Sequence, residues 1–569
     1  MKTSMIAPIA LATSLLAASP APADTLIDNA NGVQVGANGQ VQRFTGLVIG
    51  DDGKVKRLLL KGHKRPARVE RRIDAGGKTM LPGLIDAHGH VIDSPGGGGG
   101  LGLVLLQLDV TGTSSLADLQ QRLKAHADAT PGDGWITGRG WNQELWPDKR
   151  FPTAADLDAV VMDRPVWLTR VDGHAAVGNT AALKVAGVTA ATVSPEGGQV
   201  ERSANGVPTG LFIDNAIALV ADKIPVVAPE VMDRALAAAQ EALLANGITA
   251  VADMGTSVRG LDAMRRAGER GRLGIRIMSY SDGLAPLRSL TGNIPSGWLY
   301  GDRLHLGGVK LYADGALGSR GAWLKAPYHD KPDTRGLRFL TDAELGAQAE
   351  AAAAGGYQLA IHAIGDAANA QVIGAFEGLN RRHKGDRRWR IEHLQIADPA
   401  DLRRLKPAGI IASMQPTHQT SDRTMAEARL DPPRLKGAYA WRTIERMGVR
   451  LAFGSDFPVE SPNPFPGLSA AVSRQDPNGQ PPGGWRPEEK VSFATALNGF
   501  TRGAAYAGFA DTRIGSLEPG KWADFILVDR DVARVDPQAL AATKVLETWV
   551  AGKKVYASAV TGGGGERGR

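Results

Sequence analysis

The middle of the chain repeats a strand followed by a helix, and this repetition is the feature that most constrains the fold. Apolar runs such as LHLGGVKLYADG, YQLAIHAIGD and VRLAFGSDFP have the length of buried strands. Segments such as PEVMDRALAAAQEALLANG, ending at Gly247, and TDAELGAQAEAAAAGG, with Thr341 as N-cap, have helical apolar spacing. This alternation predicts an α/β fold, a closed (β/α)8 barrel of the TIM type. An open doubly wound sheet is the alternative, but no glycine-rich dinucleotide motif follows any of these strands.

The residue pattern changes on both sides of this region. Residues 24–81 and 505–558 contain short strand-like runs and turns, which predicts a small β-sandwich domain formed by both chain ends, with the barrel over residues 82–504. Residues from about 100 to 225 interrupt the strand–helix rhythm and are predicted to be a large insertion after the first barrel strand. The run Gly96–Gly100 is a candidate hinge, and residues 559–569 are expected to form a disordered tail.

Residues 1–23 have the pattern of a secretory signal peptide, with a lysine, an apolar run and the small residues Ala21 and Ala23 around Pro22. This pattern predicts a periplasmic or secreted protein without a membrane span, and a buried N-terminal helix is the alternative. The chain has no cysteine, so a metal site must use histidine, carboxylate or less usual ligands. The net charge of +7 is interspersed with acidic residues and has no aromatic–basic stripe, which argues against nucleic-acid binding.

The stretch LPGLIDAHGHV places His88 and His90 two residues apart at the end of an apolar strand, so both point to one face. In a barrel, the carboxyl ends of the strands form the mouth where active sites lie. Polar residues occupy the same place in other predicted units, namely Lys310, His362, His393 and Asp456. One such histidine is more simply explained as a satisfied core residue. The whole set is costly to bury unless it binds something, and it therefore predicts a divalent metal site.

These motifs, with RVDGHAAVGNTAAL, GVPTGLFID and GSLEPGKWADFILVDRD, resemble the amidohydrolase superfamily, in its branch of exported hydrolases similar to N-substituted formamide deformylase. The resemblance covers nearly all of the chain after the signal pattern. It implies two divalent ions, most often zinc. The more buried ion would be held by His88, His90 and Asp456. The second would be held by His362 and His393, and a carbamate formed on Lys310 would bridge the two ions. An unmodified Lys310 beside a single ion is the alternative.

The resemblance also implies a reaction. A hydroxide shared by the ions would attack the substrate carbonyl, and Asp456 would transfer protons as general base and then as general acid. The expected substrate is a small molecule with a linear amide-type C–N bond, such as an N-acyl amine, an N-substituted formamide or an N-acyl amino acid. The alternatives are a hydrolase of cyclic amides, lactones or esters with the same centre, and a non-catalytic binding protein on this fold. A homodimer is a further expectation from the family.

Six more side chains are candidates for the substrate pocket or for support of the ligands. They are Asp86, Trp141, His174, Asp314, Arg320 and His418. Asp86 could orient a histidine or cap a turn. Trp141 and Trp146 could line an apolar pocket or fill the core of the insertion. Asp214 ends the motif PTGLFID, where the related pattern often has glutamate, so any contact it makes is shorter.

Overall fold

The computed structural model describes residues 24–93 and 99–559, so the signal pattern, most of the glycine run and residues 560–569 lie outside the described residues. The two ends of the described chain contribute the strands β1 (Thr25–Asp28), β2 (Asn31–Val35), β3 (Val41–Phe44), β4 (Gly46–Ile49), β5 (Val55–Leu59), β6 (Arg71–Asp74), β7 (Thr79–Pro82), β23 (Phe525–Val528), β24 (Val545–Val550) and β25 (Lys553–Ala557). They form one sheet of order β5-β4-β1-β6 and another of order β25-β24-β23-β7-β2-β3.

The two terminal sheets share one hydrophobic core, to which Ile27 and Leu47 contribute from one sheet and Met80 and Phe525 from the other. Strand β23 pairs antiparallel with β7, which ties the end of the chain to its beginning. Side chains on the opposite face of the larger sheet, such as Val33, join the core that surrounds the barrel. Because each sheet buries an apolar face on the other, both chain ends are needed for this sandwich.

Eight parallel strands form the central barrel and confirm the predicted fold class. In hydrogen-bonded order they are β8 (Leu84–Gly89), β15 (Ile248–Thr256), β16 (Arg276–Asp282), β18 (Leu304–Tyr312), β19 (Gln358–Ala363), β20 (Arg390–His393), β21 (Ile411–Met414) and β22 (Leu451–Phe453). The short strand β17 (Trp298–Leu299) pairs antiparallel with β18. A seam joins the two ends of this sheet just beyond β22. There the Asp456 N–H donates to the His88 carbonyl over 2.7 Å, and the His90 N–H donates to the Phe457 carbonyl over 2.8 Å.

Helices connect these elements and pack around the barrel. They are α1 (Leu101–Leu105), α2 (Leu116–Ala129), α3 (Ala154–Asp158), α4 (Thr180–Ala186), α5 (Ala218–Ala221), α6 (Pro229–Ala245), α7 (Val258–Glu269), α8 (Leu284–Thr291), α9 (Asp342–Ala354), α10 (Asp366–Arg382), α11 (Pro399–Leu405), α12 (Pro416–Arg429), α13 (Trp441–Arg446), α14 (Pro464–Ser473), α15 (Phe493–Asn498), α16 (Ala504–Ala507) and α17 (Pro537–Leu540). Thr341 caps α9 in a capping box with Glu344, as predicted. Within the described residues, no helix is both long and apolar enough to cross a membrane.

Residues 505–514, which the sequence assigns to the β domain, pack against the barrel in the structure. Ala505 and Ile514 pack in one cluster with Ile85, Met278 and Ala452, which lie near the starts of barrel strands. This segment therefore covers the amino-terminal end of the barrel. The C-terminal share of the β domain follows this segment, because Leu517 and Ala523 pack in the core of the sandwich and β23 then pairs with β7.

The insertion between β8 and α6 forms a sheet of its own. Its strands are β9 (Leu108–Asp109), β10 (Ile136–Trp141), β11 (Val166–Arg170), β12 (Ala175–Gly178), β13 (Gly198–Arg202) and β14 (Pro208–Asp214), in the order β13-β14-β12-β11-β10-β9. Leu168 packs in a core on one face, and Trp167 packs with Phe212 in a core on the other. Because the sheet buries apolar side chains on both faces, the insertion has its own hydrophobic cores beside the barrel mouth.

Candidate metal centre

A cavity of about 680 Å³ opens at the carboxyl ends of the barrel strands. Its lining includes all the ligands predicted from the sequence, namely His88, His90, Lys310, His362, His393 and Asp456. The insertion contributes His174 and Asp214 to the same lining, and helix α12 contributes His418. Residues from distant parts of the chain therefore meet at one rim because parallel barrel strands all end on the same side.

Five imidazole rings follow one another across the cavity. The ring centres of His90 and His88 are 5.6 Å apart, and those of His88 and His393 are 4.6 Å apart. His362 follows at 4.5 Å from His393, and His174 at 5.7 Å from His362. The row therefore has His90 at one end and His174 at the other.

Asp456 lies at the His90 end of this row. Its Oδ1 atom is 3.0 Å from His90 Nε2 and 3.3 Å from His88 Nε2, while its Oδ2 atom is 3.7 Å from His418 Nε2. Burial alone would raise the pKa of Asp456, but its hydrogen bond with His90 helps to hold this pKa well below its usual value. Its φ of 60° is unusual for a residue other than glycine. The chain thus holds an anionic carboxylate in a strained conformation beside two imidazoles.

Lys310 is buried near the end of β18, and its burial makes the neutral amine easier to form than it is in water. Its Nζ atom is 3.4 Å from His88 Nε2 and 5.1 Å from the centre of the Tyr312 ring. Burial lowers the pKa of Lys310 to about 8. Since only a neutral amine reacts with carbon dioxide, this environment suits the predicted carbamate.

Two residues that the sequence analysis missed hold the ligand rings in place. Glu392 Oε2 accepts a hydrogen bond from His88 Nδ1 over 2.7 Å, and Gln415 Oε1 accepts one from His393 Nδ1 over 2.9 Å. Arg390 donates to Glu392 Oε1 over 2.7 Å, and both side chains are fully buried. These acceptors place the proton of each ring on Nδ1, which leaves Nε2 unprotonated for an ion.

The donor atoms fit a divalent ion of the zinc type. Ligand atoms of His88, His90 and Asp456 lie within 4.8 Å of one another, and the same is true of His393, His418 and Asp456. Burial lowers the pKa values of three histidines that line the cavity well below their usual value, namely His88, His362 and His393. His362 Nε2 is buried without a hydrogen bond among the described residues. Neutral imidazoles together with a carboxylate are common ligands of zinc and related ions.

The ligand assignment itself stays a prediction. The first group of three is the one predicted for the more buried ion. The second group contains His418, whereas the sequence predicts His362 beside His393. His418 was not recognised as a possible ligand because the strand predicted for IIASMQPTH ends early: β21 stops at Met414, and Pro416 begins α12. His418 therefore lies in the first turn of a helix above the cavity.

Asp86 and Asp314 organise the backbone around the centre. Asp86 accepts hydrogen bonds from the His88 N–H over 3.0 Å and from the Ser455 hydroxyl over 2.6 Å. It therefore holds the ends of the first and last barrel strands together, and it makes no hydrogen bond to an imidazole of the described residues. Asp314 accepts from the backbone N–H groups of Ile364 and Gly365 over 3.0 and 2.8 Å, which ties the loop after β18 to the loop after β19.

Trp141 and Arg320 lie elsewhere, so their candidacy for the pocket is corrected. The indole N–H of Trp141 donates to the Leu168 carbonyl over 2.8 Å in the core of the insertion, where Trp146 also packs. Arg320 pairs with Asp330 over 2.7 Å. Neither Trp141 nor Arg320 lines the cavity formed by the described ranges. Each side chain instead has a polar partner that is not part of the cavity lining.

Comparison with known proteins yields one family over most of the chain. The model described as "Amidohydrolase family" matches residues 71–556. The chain is similar to protein LONG AFTER FAR-RED 3 of Arabidopsis thaliana, with 35% identity over 515 residues that cover 87% of this chain and 85% of that protein. It is also similar to N-substituted formamide deformylase of Arthrobacter pascens, with 28% identity over 508 residues that cover 85% of this chain and 89% of that enzyme.

Among solved structures, the chain is similar to an uncharacterized metal-dependent hydrolase from Pyrococcus horikoshii. The TM-score is 0.72 and the identity 28%, and the match covers 90% of this chain and 99% of that one. The barrel and the terminal sheets thus have a counterpart in a solved structure.

Proposed function

Because this chain belongs to the amidohydrolase family, we propose that it is a metal-dependent enzyme that hydrolyses a linear amide-type C–N bond. The substrates would be N-acyl amines, N-substituted formamides or N-acyl amino acids. The observation that carries this proposal is the convergence of four histidines, a lysine and an aspartate in one cavity at the barrel mouth. The similarity to N-substituted formamide deformylase supports a linear amide over a cyclic amide, a lactone or an ester.

We propose a centre of two divalent ions, with zinc as the expected metal. His88, His90 and Asp456 would hold one ion. His362 and His393 would hold the other, and Lys310 would bridge them as a carbamate. When bound, such ions lower the pKa of water and polarise a carbonyl group.

The protein's own groups would bind the ligand rings and move the proton. Glu392 and Gln415 keep the Nε2 atoms of His88 and His393 unprotonated. Asp456 directs Oδ1 toward His88 and His90, which leaves Oδ2 on the side of His418. In the proposed reaction, Oδ2 takes a proton from the attacking water and passes it to the leaving nitrogen. The insertion contributes one side of the cavity lining and would limit the water around a bound substrate.

A panel of substrates tests the reaction. The purified chain is analysed for bound metal, reconstituted with zinc, and assayed with N-phenylformamide, N-acetylphenylalanine, a δ-lactone and 4-nitrophenyl acetate. We expect turnover of the linear amides, and we expect Asp456→Asn to lower kcat by about 100-fold or more, the usual contribution of a general base. Asp128→Asn on exposed α2 is the matched control. Wild-type activity in Asp456→Asn would contradict the proton-transfer role, and turnover of only the lactone or ester would contradict the substrate class.

The carbamate has a direct spectroscopic test. The zinc-loaded chain is incubated with ¹³C-bicarbonate and examined by ¹³C NMR. We expect a protein-bound carbamate resonance that disappears in Lys310→Met. Spectra that are identical for the two proteins would mean that Lys310 is unmodified.

We also propose that the protein is exported, on the strength of the signal pattern in residues 1–23. N-terminal sequencing of the protein from the periplasm or the medium should begin near Asp24, and a chain that stays in the cytoplasm with Met1 intact would refute export. The proposed homodimer is tested by light scattering of the purified chain, where a monomer mass at micromolar concentration would refute it.

A further inference from the structure

His174 and Asp214 form a pair that belongs to the insertion but faces the barrel mouth. His174 directly precedes β12 and Asp214 ends β14, and these two strands pair antiparallel. The Asp214 N–H donates to the His174 carbonyl over 3.1 Å. The side chains also meet, since His174 Nδ1 lies 2.7 Å from Asp214 Oδ1. The backbone and the side chains thus fix the pair together.

The barrel provides a close-fitting seat for the Asp214 carboxylate. A Cβ atom added to Gly321 would lie 2.7 Å from Asp214 Oδ2, and one added to Gly315 would lie 3.1 Å from it. Both glycines belong to the loop that follows β18, the strand that carries Lys310. A side chain at Gly321 would therefore push the carboxylate out of its position, so this close approach requires glycine.

The backbone of Asp214 is strained, with φ 48° and ψ −125°. Its Oδ2 atom is buried and has no hydrogen bond within the described ranges. A buried carboxylate oxygen without a partner and a strained backbone both lower stability. Such features persist where the surrounding structure enforces them, and they concentrate at functional sites.

The pair leaves one ring nitrogen of His174, Nε2, for a partner other than Asp214. Because Nδ1 of His174 is held by Asp214, Nε2 is the only polar ring atom left for another partner. The His174 side chain is 22% exposed and lines the cavity. It stands beside His362, at the end of the imidazole row opposite His90 and Asp456. A substrate bound between these ends would meet Asp456 on one side and His174 on the other.

We propose that the insertion completes the reaction centre: His174 Nε2 hydrogen-bonds the reacting amide group of the substrate, and Asp214 is the positioning residue for that ring. This inference rests on the proposed function. It assigns the insertion a part in the chemistry, in addition to any part in substrate selection.

The proposed contact between His174 and the substrate is tested by the kinetics and the ligand binding of the zinc-loaded full chain. For N-phenylformamide, we expect His174→Ala to lower kcat/KM by about 100-fold, the usual effect of removing one such contact. We expect it also to weaken binding of phenylphosphonate, an analogue of the tetrahedral intermediate, by about 10-fold or more in calorimetry. The bound zinc should stay unchanged. His174→Gln should recover part of the loss, because its amide reaches the place of Nε2.

Asp214 is tested through its coupling to His174. Asp214→Asn should lower kcat/KM in the wild-type background and have no further effect in His174→Ala, because it acts through that ring. Gly321→Ala should resemble Asp214→Asn. Gly346→Ala is the matched control, since a Cβ at Gly346 meets nothing within 4 Å. Additive losses would overturn the positioning role of Asp214.

The outcomes separate this inference from the proposed function. If the wild type hydrolyses the amide and His174→Ala does so equally well, the inference fails and the function stands. If no substrate is hydrolysed but His174→Ala still weakens phenylphosphonate binding, the function fails and the pair stands as a ligand contact. A wild-type chain that neither hydrolyses the amide nor binds phenylphosphonate overturns both.

Discussion

Replacing Glu392 by glutamine should weaken metal binding although the shape of the side chain is unchanged. Glu392 accepts on both oxygens: Oε1 from Arg390 Nε over 2.7 Å, and Oε2 from His88 Nδ1 over 2.7 Å. Glutamine has only one oxygen. If its NH₂ group faces His88, that ring must accept at Nδ1 and carry its proton on Nε2, where it cannot bind an ion. If the NH₂ group faces Arg390, two donors oppose each other.

The magnitude follows from the burial of the three groups. The side chains of Arg390 and Glu392 are 0% exposed and that of His88 is 1% exposed, so water cannot replace the lost partner. Loss of a supporting carboxylate typically weakens metal affinity by 10- to 100-fold, or about 1.4–2.8 kcal/mol. Removing one charge of a buried ion pair costs about 3 kcal/mol or more, because the Arg390 guanidinium remains without its counter-ion. We therefore expect both effects in Glu392→Gln.

The two effects need separate assays. Zinc affinity is measured by competition with a chromogenic chelator, and stability by urea unfolding of the metal-free protein, since a bound ion would stabilise the folded state. Glu427→Gln, on the half-exposed part of α12, is the matched control. Zinc affinity within twofold of the wild type would refute the role of Glu392 in fixing the tautomer of His88. Unchanged stability would refute the argument from the buried ion pair.

Two further substitutions test the scaffold by urea unfolding. Thr341→Ala removes the N-cap of α9 and should lower the free energy of unfolding by about 1 kcal/mol, and no loss would contradict the capping box. Gly454→Ala places a Cβ against Asp86 Oδ1 and 2.5 Å from the backbone nitrogen of His88, so it should cost about 3 kcal/mol and also reduce the bound metal. Wild-type stability and metal content in Gly454→Ala would show that the strand ends tolerate separation.

The position of the candidate metal centre follows from elementary features of the sequence. His88, His362 and His393 were placed at one rim because each ends an apolar strand, and parallel strands of a barrel end on the same side. The fold class followed from the same alternation. Which residues meet at the rim of a barrel can therefore be predicted from the type and order of the elements alone, and hydrophobic periodicity reveals both.

The supporting groups were harder to find because their partners are set by packing between strands. Glu392 and Arg390 are two residues apart in an apolar strand and so share a face, a signal that could have identified a buried ion pair. The contact of Glu392 with His88 spans 304 residues and has no local signature. Trp141 is a second case, because the sequence does not reveal that its strand of the insertion packs this side chain into a hydrophobic core and not into the cavity.

The seam between the ends of the barrel couples the folding of the whole chain to the formation of the centre. His90 and Asp456, which meet there, are 366 residues apart in the chain. A nascent polypeptide that ends before β22 lacks both the closing hydrogen bonds and Asp456, so the predicted ligands would capture an ion only after β22 and the residues that follow it have been synthesised. Once the ring closes, a bound cation would favour the closed over the opened barrel, and depletion of metal should loosen this junction first.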